Sequence, residues 1–236
     1  MNRQIIALLL PLMLLQSCLK DLEPITETID TYHYYYHNLM EEYDLQWEID
    51  DAVIGSGHSY GTPAQAVFSL NEPEQEVLIR AANSDNGLLI DSLSHLMFES
   101  ASYMIALMGT TDEPHLLCEP MDTRMPSAGM IKFRFLHTSE ALGPVDIYIG
   151  GSDAEHLALP AMEYTQLSEY QETSEERIWT SVIVTPSNTL PADSIILEYM
   201  ANTLFRTGGI YLCILEHENS SSESSFQIQA DDQPVY

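Results

Sequence analysis

Basic residues are scarce: Lys and Arg total 8 against 36 Asp and Glu, a formal net charge of -28. A field of that sign repels phosphate backbones and anionic headgroups. It excludes a nucleic-acid partner, and with no Lys/Arg cluster it excludes a basic interfacial helix. The acidity itself reads as a solvated surface. Cysteine is also sparse, with three residues at Cys18, Cys118 and Cys213. No Cys-x-x-Cys, phosphate-cradling loop or dinucleotide fingerprint is present, so nothing in the pattern calls for a cofactor. Beyond residue 15 there is no apolar run long enough for a membrane-spanning helix.

What is present begins at the N-terminus. Arg3 precedes an apolar run from Ile5 to Leu15, followed by Gln16-Ser17-Cys18. A positive start, an apolar core of this length and small or polar residues before a break point make a secretory signal over residues 1–17. Leu15-Gln16-Ser17-Cys18 resembles the lipobox of bacterial lipoproteins. The resemblance implies that Cys18 becomes the acylated N-terminus and holds the chain to a membrane. Leu19, rather than Asp, follows it. In enteric-type bacteria that implies sorting to the outer membrane; elsewhere a surface-facing position is open. Residues 18–31, polar and containing Pro24, read as the lipidated cysteine and a tether.

An exported chain sits in an oxidising compartment, where Cys118 and Cys213 form an even pair and can bridge. Against that, Cys213 lies in the apolar run Ile210–Leu215, where a free thiol behaves as a small hydrophobe.

With 45% hydrophobic residues the chain can bury real cores. Short runs rich in Val, Ile, Tyr and Thr are separated by Gly, Pro, Ser, Asn and Asp clusters, a strand signature. The runs also recur. Tyr34-Tyr35-Tyr36-His37 and then Tyr43-Asp44-Leu45 answer Phe133–His137 and then Val145-Asp146-Ile147. Val77–Ile79 answers Val182–Val184, and Ser102–Leu107 answers Ile210–Leu215, with Tyr103 matching Tyr211. Four landmarks in one order predict one unit written twice. The reading is all-β: two tandem antiparallel sandwiches of immunoglobulin-like type. The first spans 32–111 and the second 130–236. The linker is 112–129, where Pro114, Pro120 and Pro126 argue against strands. Leu88–Ala101 and Ser194–Tyr199 are read as strands.

The second copy resembles the domain-of-unknown-function 4397 family of secreted bacterial β-sandwiches. The resemblance rests on Arg134-Phe135-Leu136-His137-Thr138-Ser139, then Pro144, Val145-Asp146-Ile147-Tyr148 and the closing Gly209-Ile210-Tyr211. The first copy is degenerate, with Tyr35 in the arginine's place and Asn38 in that of Thr138. The resemblance implies immunoglobulin-like sandwiches and export, and it implies no activity. In the plain reading His137 ends a strand and Asp146 bonds to backbone.

Four other patterns carry possible chemistry. Gly57-His58-Ser59-Tyr60-Gly61 matches Gly-x-Ser-x-Gly, in which a strand-to-helix turn exposes a nucleophilic serine; Asp91 and His137 follow in the order of a hydrolase. Asp50-Asp51 before it and Pro63 after it argue for a loop, placed by the repeat opposite Gly150-Gly151-Ser152-Asp153. His33 and His37 share a face and could start a metal site. Loose cation binding points to Asn83–Gly87, with Asp85, and to Asp231 and Asp232, although neither has the spacing of a calcium loop. Trp47, Tyr60, Tyr164 and Tyr170 are candidates for stacking on sugars, against core packing. The expected function is a membrane-anchored, non-catalytic envelope protein that binds an envelope protein or a glycan. The alternatives are a serine hydrolase using Ser59 and a cation-dependent glycan-binding module.

Overall fold

The computed structural model describes residues 29–37, 43–62, 64–174, 181–199, 205–218 and 223–230. Its regular structure is strand apart from two short 3₁₀ turns, Glu140–Leu142 and Ala154–His156. Among the described residues no helix is long and apolar enough to cross a membrane.

The first eight strands are β1 (Ile29–His37), β2 (Leu45–Ile49), β3 (Ala52–His58), β4 (Ala64–Leu70), β5 (Glu74–Asn83), β6 (Leu89–Phe98), β7 (Ser102–Gly109) and β8 (Pro114–Pro120). They form two four-stranded sheets, ordered β4-β1-β7-β8 and β3-β2-β5-β6. The next eight are β9 (Met130–His137), β10 (Val145–Ile149), β11 (Leu157–Met162), β12 (Gln171–Ser174), β13 (Val182–Pro186), β14 (Leu197–Tyr199), β15 (Ile210–Glu218) and β16 (Glu223–Ala230). Their sheets run β12-β9-β15-β16 and β11-β10-β13-β14, the same order again. Pairing is antiparallel except β1 with β7 and β9 with β15.

Details repeat as well as order. In β2, Leu45, Trp47 and Glu48 face His58, Gly55 and Val53 of β3 across two register shifts. In β10, Val145, Ile147 and Tyr148 face Met162, Leu159 and Leu157 of β11 in the same way. The Phe98 N–H donates to the Tyr103 hydroxyl at 2.6 Å, and the Arg206 N–H to the Tyr211 hydroxyl at 2.7 Å. Each is a tyrosine at the start of a strand tying down the backbone just upstream, as at the tyrosine corner of sandwich domains.

Two cores fill the space between paired sheets. Trp47, Ile79, Met97, Ile105 and Cys118 belong to the first; Phe133, Phe135, Ile147, Val184 and Cys213 belong to the second. A third cluster joins β7 to β9 and β15 through Met104, Ala106, Met108, Leu136, Leu212 and Ile214, with Met121 of the connecting segment. Along β7, Tyr103, Ile105 and Leu107 enter the first core while Met104, Ala106 and Met108 enter the third. This explains why Ser102–Leu107 and Ile210–Leu215 read as unbroken apolar runs: strands buried on both faces need no alternation. Each large side chain in the third cluster contributes about 1.5–3 kcal/mol by leaving water.

The connecting segment is clamped. Arg124 donates two hydrogen bonds to the Asp122 carboxylate, each at 2.8 Å. Lys132, 5% exposed, lies 3.3 Å from the same carboxylate and donates to the Arg124 carbonyl. Arg134, 3% exposed, stacks on Tyr170 with its guanidinium carbon 4.6 Å from the ring centroid.

Several expectations are corrected. Residues 114–120 are not linker but β8, paired antiparallel to β7. At a sheet edge a proline lacks only a donor that the ladder does not use, so Pro114 and Pro120 bracket the strand instead of preventing it. The connection between the two sets of strands is 121–129. The shared bulges place Gln46, not Asp44, opposite Asp146. Register likewise makes Tyr34, facing Met104, the counterpart of Arg134, facing Leu212. Ser194–Tyr199 supplies a strand only over Leu197–Tyr199, whereas Leu89–Phe98 is a full strand.

Candidate functional site

Arg134 and His137 lie on β9, Asp146 and Tyr148 on β10 and Tyr211 on β15, and each side chain bonds to backbone. His137 is fully buried. Its Nε2 lies 2.8 Å from the Gly143 carbonyl, and its Nδ1 lies 3.3 Å from the Ser139 N–H. A carbonyl only accepts and an N–H only donates, so the ring is the neutral Nε2–H tautomer. Burial, opposed by the Gly143 contact, pulls its pKa below the ordinary imidazole value. Tyr164 meets the ring edge-on, 6.4 Å between centroids. Thr138 and Ser139 are buried beside it, and the Thr138 hydroxyl donates to the Leu215 carbonyl at 2.9 Å.

Asp146, 5% exposed, splits its carboxylate between two backbone donors. Oδ1 accepts from the Ala161 N–H at 2.7 Å, and Oδ2 from the Asn188 N–H at 2.9 Å. Both donors have positive φ, 46° and 61°. Non-glycine residues resist that conformation. One carboxylate therefore holds a strained position on β11 and another just past β13. The Tyr148 hydroxyl reaches the Thr189 carbonyl at 3.5 Å.

Ser59 follows β3 on the surface, and its hydroxyl donates to Asp44 at 2.7 Å. The next element is strand β4, so the strand-to-helix turn of a nucleophile elbow is not formed. The pattern straddles the end of β3 and the β3–β4 connection; Gly150–Asp153 follows β10 and answers Asp50-Asp51 instead. Asp91 accepts from the Leu116 N–H at 2.9 Å and the Ser92 N–H at 2.7 Å. The three residues proposed as a hydrolase triad are thus bonded in three separate places.

Neither Cys118 nor Cys213 is in a disulfide; each is buried in a different core, which corrects the possible bridge. Desolvation pushes the Cys118 thiol far above its usual range. Trp47 is fully buried in the first core and offers no stacking face. Tyr60, Tyr164 and Tyr170 are each half-buried, with Tyr164 against His137 and Tyr170 under Arg134. The Asp85 loop is closed on itself: the Asn83 side chain accepts from the Asp85 N–H at 2.8 Å, and that of Asn86 from the Leu88 N–H at 2.9 Å. Cys18, the signal over 1–17, Asp231 and Asp232 lie outside the described residues. For His33 and His37 only the backbone, in β1, is described.

Sequence reading missed one cluster. Asp153, Glu155 and His156 bring their donor atoms within 4.8 Å of one another on the 3₁₀ turn between β10 and β11. The Asp-x-Glu-His spelling after Gly150-Gly151 was the available signal, passed over because the segment reads as a plain loop. The ring of His156 lies against Gly151, where any Cβ would stand 2.7–2.9 Å from three of its atoms.

Compared with protein-family models and with curated proteins, the chain matches none.

Proposed function

We propose that the chain is an exported lipoprotein, anchored through an acylated Cys18, whose two tandem immunoglobulin-like sandwiches do non-catalytic binding, adhesion or scaffolding work in the bacterial envelope. The observation that carries this reading is how the chemically capable side chains are used. Both nitrogens of His137 and both oxygens of Asp146 bond within the fold, three of these four contacts to backbone groups other than the turn at Ser139. Groups held in this way position strands and loops. The third apolar cluster supports the scaffolding element, since it joins the two sets of sheets without a free hinge at 121–129. The loops between strands are then the places where a partner protein or glycan is met. The lipobox and the resemblance to the domain-of-unknown-function 4397 family support export and the sandwich type.

Two measurements test this. Metabolic labelling with a palmitate analogue should mark the wild-type chain in the membrane fraction and not Cys18→Ala. Unlabelled wild-type chain would remove the anchor. A fluorophosphonate probe should leave the chain unlabelled, and labelling abolished by Ser59→Ala would overturn the non-catalytic reading in favour of a hydrolase.

A further inference from the structure

We propose that Asp153, Glu155 and His156 form a binding site for one divalent transition-metal ion of the zinc class. Their donor atoms converge within 4.8 Å, close enough for small side-chain rotations to place them around one ion. The donor set is an imidazole and two carboxylates. Calcium and magnesium take oxygen ligands, whereas imidazole beside carboxylate suits zinc and its first-row neighbours.

The three side chains are also unoccupied by the protein. Asp153 stands at the N-cap of the 3₁₀ turn, where an aspartate ordinarily accepts a backbone N–H, yet it makes no such bond. Nδ1 of His156 is shielded from solvent and has no hydrogen-bond partner. A buried polar atom without a partner is costly, and a bound cation would remove the cost. The backbone holds the donors in place: the His156 N–H donates to the Asp153 carbonyl at 2.9 Å, and Gly151 leaves the room its ring occupies. Glu155 and Asp153 are exposed, so a coordination position faces outward for water or a donor from a partner. The net charge of -28 raises the local concentration of cations. The site is independent of the anchoring and the non-catalytic role proposed above.

The test is calorimetric titration of the detergent-solubilised full-length chain, stripped with chelator, using zinc chloride and then calcium chloride. Wild type should bind one zinc ion saturably, and tenfold excess calcium should not displace it. Asp153→Asn and His156→Asn should each weaken binding by about tenfold or more, as loss of even an outer ligand partner does. Gly151→Ala should weaken it by displacing the ring, and Asp85→Asn should leave it unchanged. Melting curves in chelator confirm folding; should His156→Asn fail to fold, Glu155→Gln carries the same comparison. No saturable zinc binding, or equal binding by wild type and every folded ligand variant, would overturn the site.

Discussion

Replacing Asp146 with alanine strips two backbone donors of their acceptor at once. Hydrogen bonds to a charged group are each worth about 1.5–3 kcal/mol. The residues they hold, Ala161 and Asn188, are at positive φ and lose the contact that keeps them there. Asp146→Ala should therefore cost about 3–6 kcal/mol. Asp146→Asn keeps one acceptor oxygen in place, so it should recover roughly half of that, about tenfold or more in the unfolding constant. Gln46 occupies the matching place in β2, half-buried and bonded to Glu48 at 2.7 Å. Gln46→Ala should cost no more than about 0.5–1 kcal/mol. Urea unfolding followed by circular dichroism gives the energies. Hydrogen exchange on the peptide covering 157–162 should report faster exchange in Asp146→Ala. If Asp146→Ala lies within about 0.5 kcal/mol of wild type, the carboxylate is not what holds the two strained residues. Equal losses in the alanine and asparagine variants would show that charge alone matters.

Other expectations follow the same logic. Tyr103→Phe and Tyr211→Phe each remove one acceptor from a backbone N–H, so both should destabilise by about 1–2 kcal/mol; a loss in one and none in the other, by denaturant melts, breaks the equivalence of the two corners. Burial lowers the pKa of His58, His95 and His137 in the fold. A base whose folded value is depressed adds stability above its unfolded value, near 6.5, and loses it as pH falls through the folded value. Stability should therefore decline from about pH 6.5 downward, and a flat pH profile between 6.5 and 5, with His137 titrating at its unperturbed value by nuclear magnetic resonance, would refute that. Native chain should leave Cys118 and Cys213 unreactive to a thiol reagent and titratable only in denaturant; native reaction at either would contradict their burial.

The strand character of this chain and much of its repetition were legible, for reasons tied to particular residues. His37 and His137 end equivalent strands, and Tyr103 and Tyr211 stand near the start of equivalent ones, as the shared register of the two parallel pairs records. Aromatic and apolar runs around them keep their length. The aspartates misled: Asp44 and Asp146 each follow an aromatic or apolar residue, yet bulges, not residue identity, set the register of β2 and β10. β8 was hidden because its two prolines carry the local signal of a break, and only its position at a sheet edge makes them harmless. Trp47 read as a candidate for stacking because its residue type alone does not say which face of β2 the indole takes. The Asp153, Glu155 and His156 cluster was out of reach for another reason. A 3₁₀ turn brings together side chains one to three positions apart, and polar loops hide such turns well.

The placement of β1 and β9 inside their sheets bears on how the chain is made. Tyr32 lies beside Ser102, and Lys132 beside Ile210, each pair at opposite ends of its half. β1 and β9 can pair early with β4 and β12, but the other edge of each is filled only after the seventh strand of its half has been synthesised. Parallel pairing over such separations is slow, because loop-closing entropy is spent before the contacts return it. Until then one edge of each first strand stays open, a place where a chaperone or a second chain can pair with it during folding.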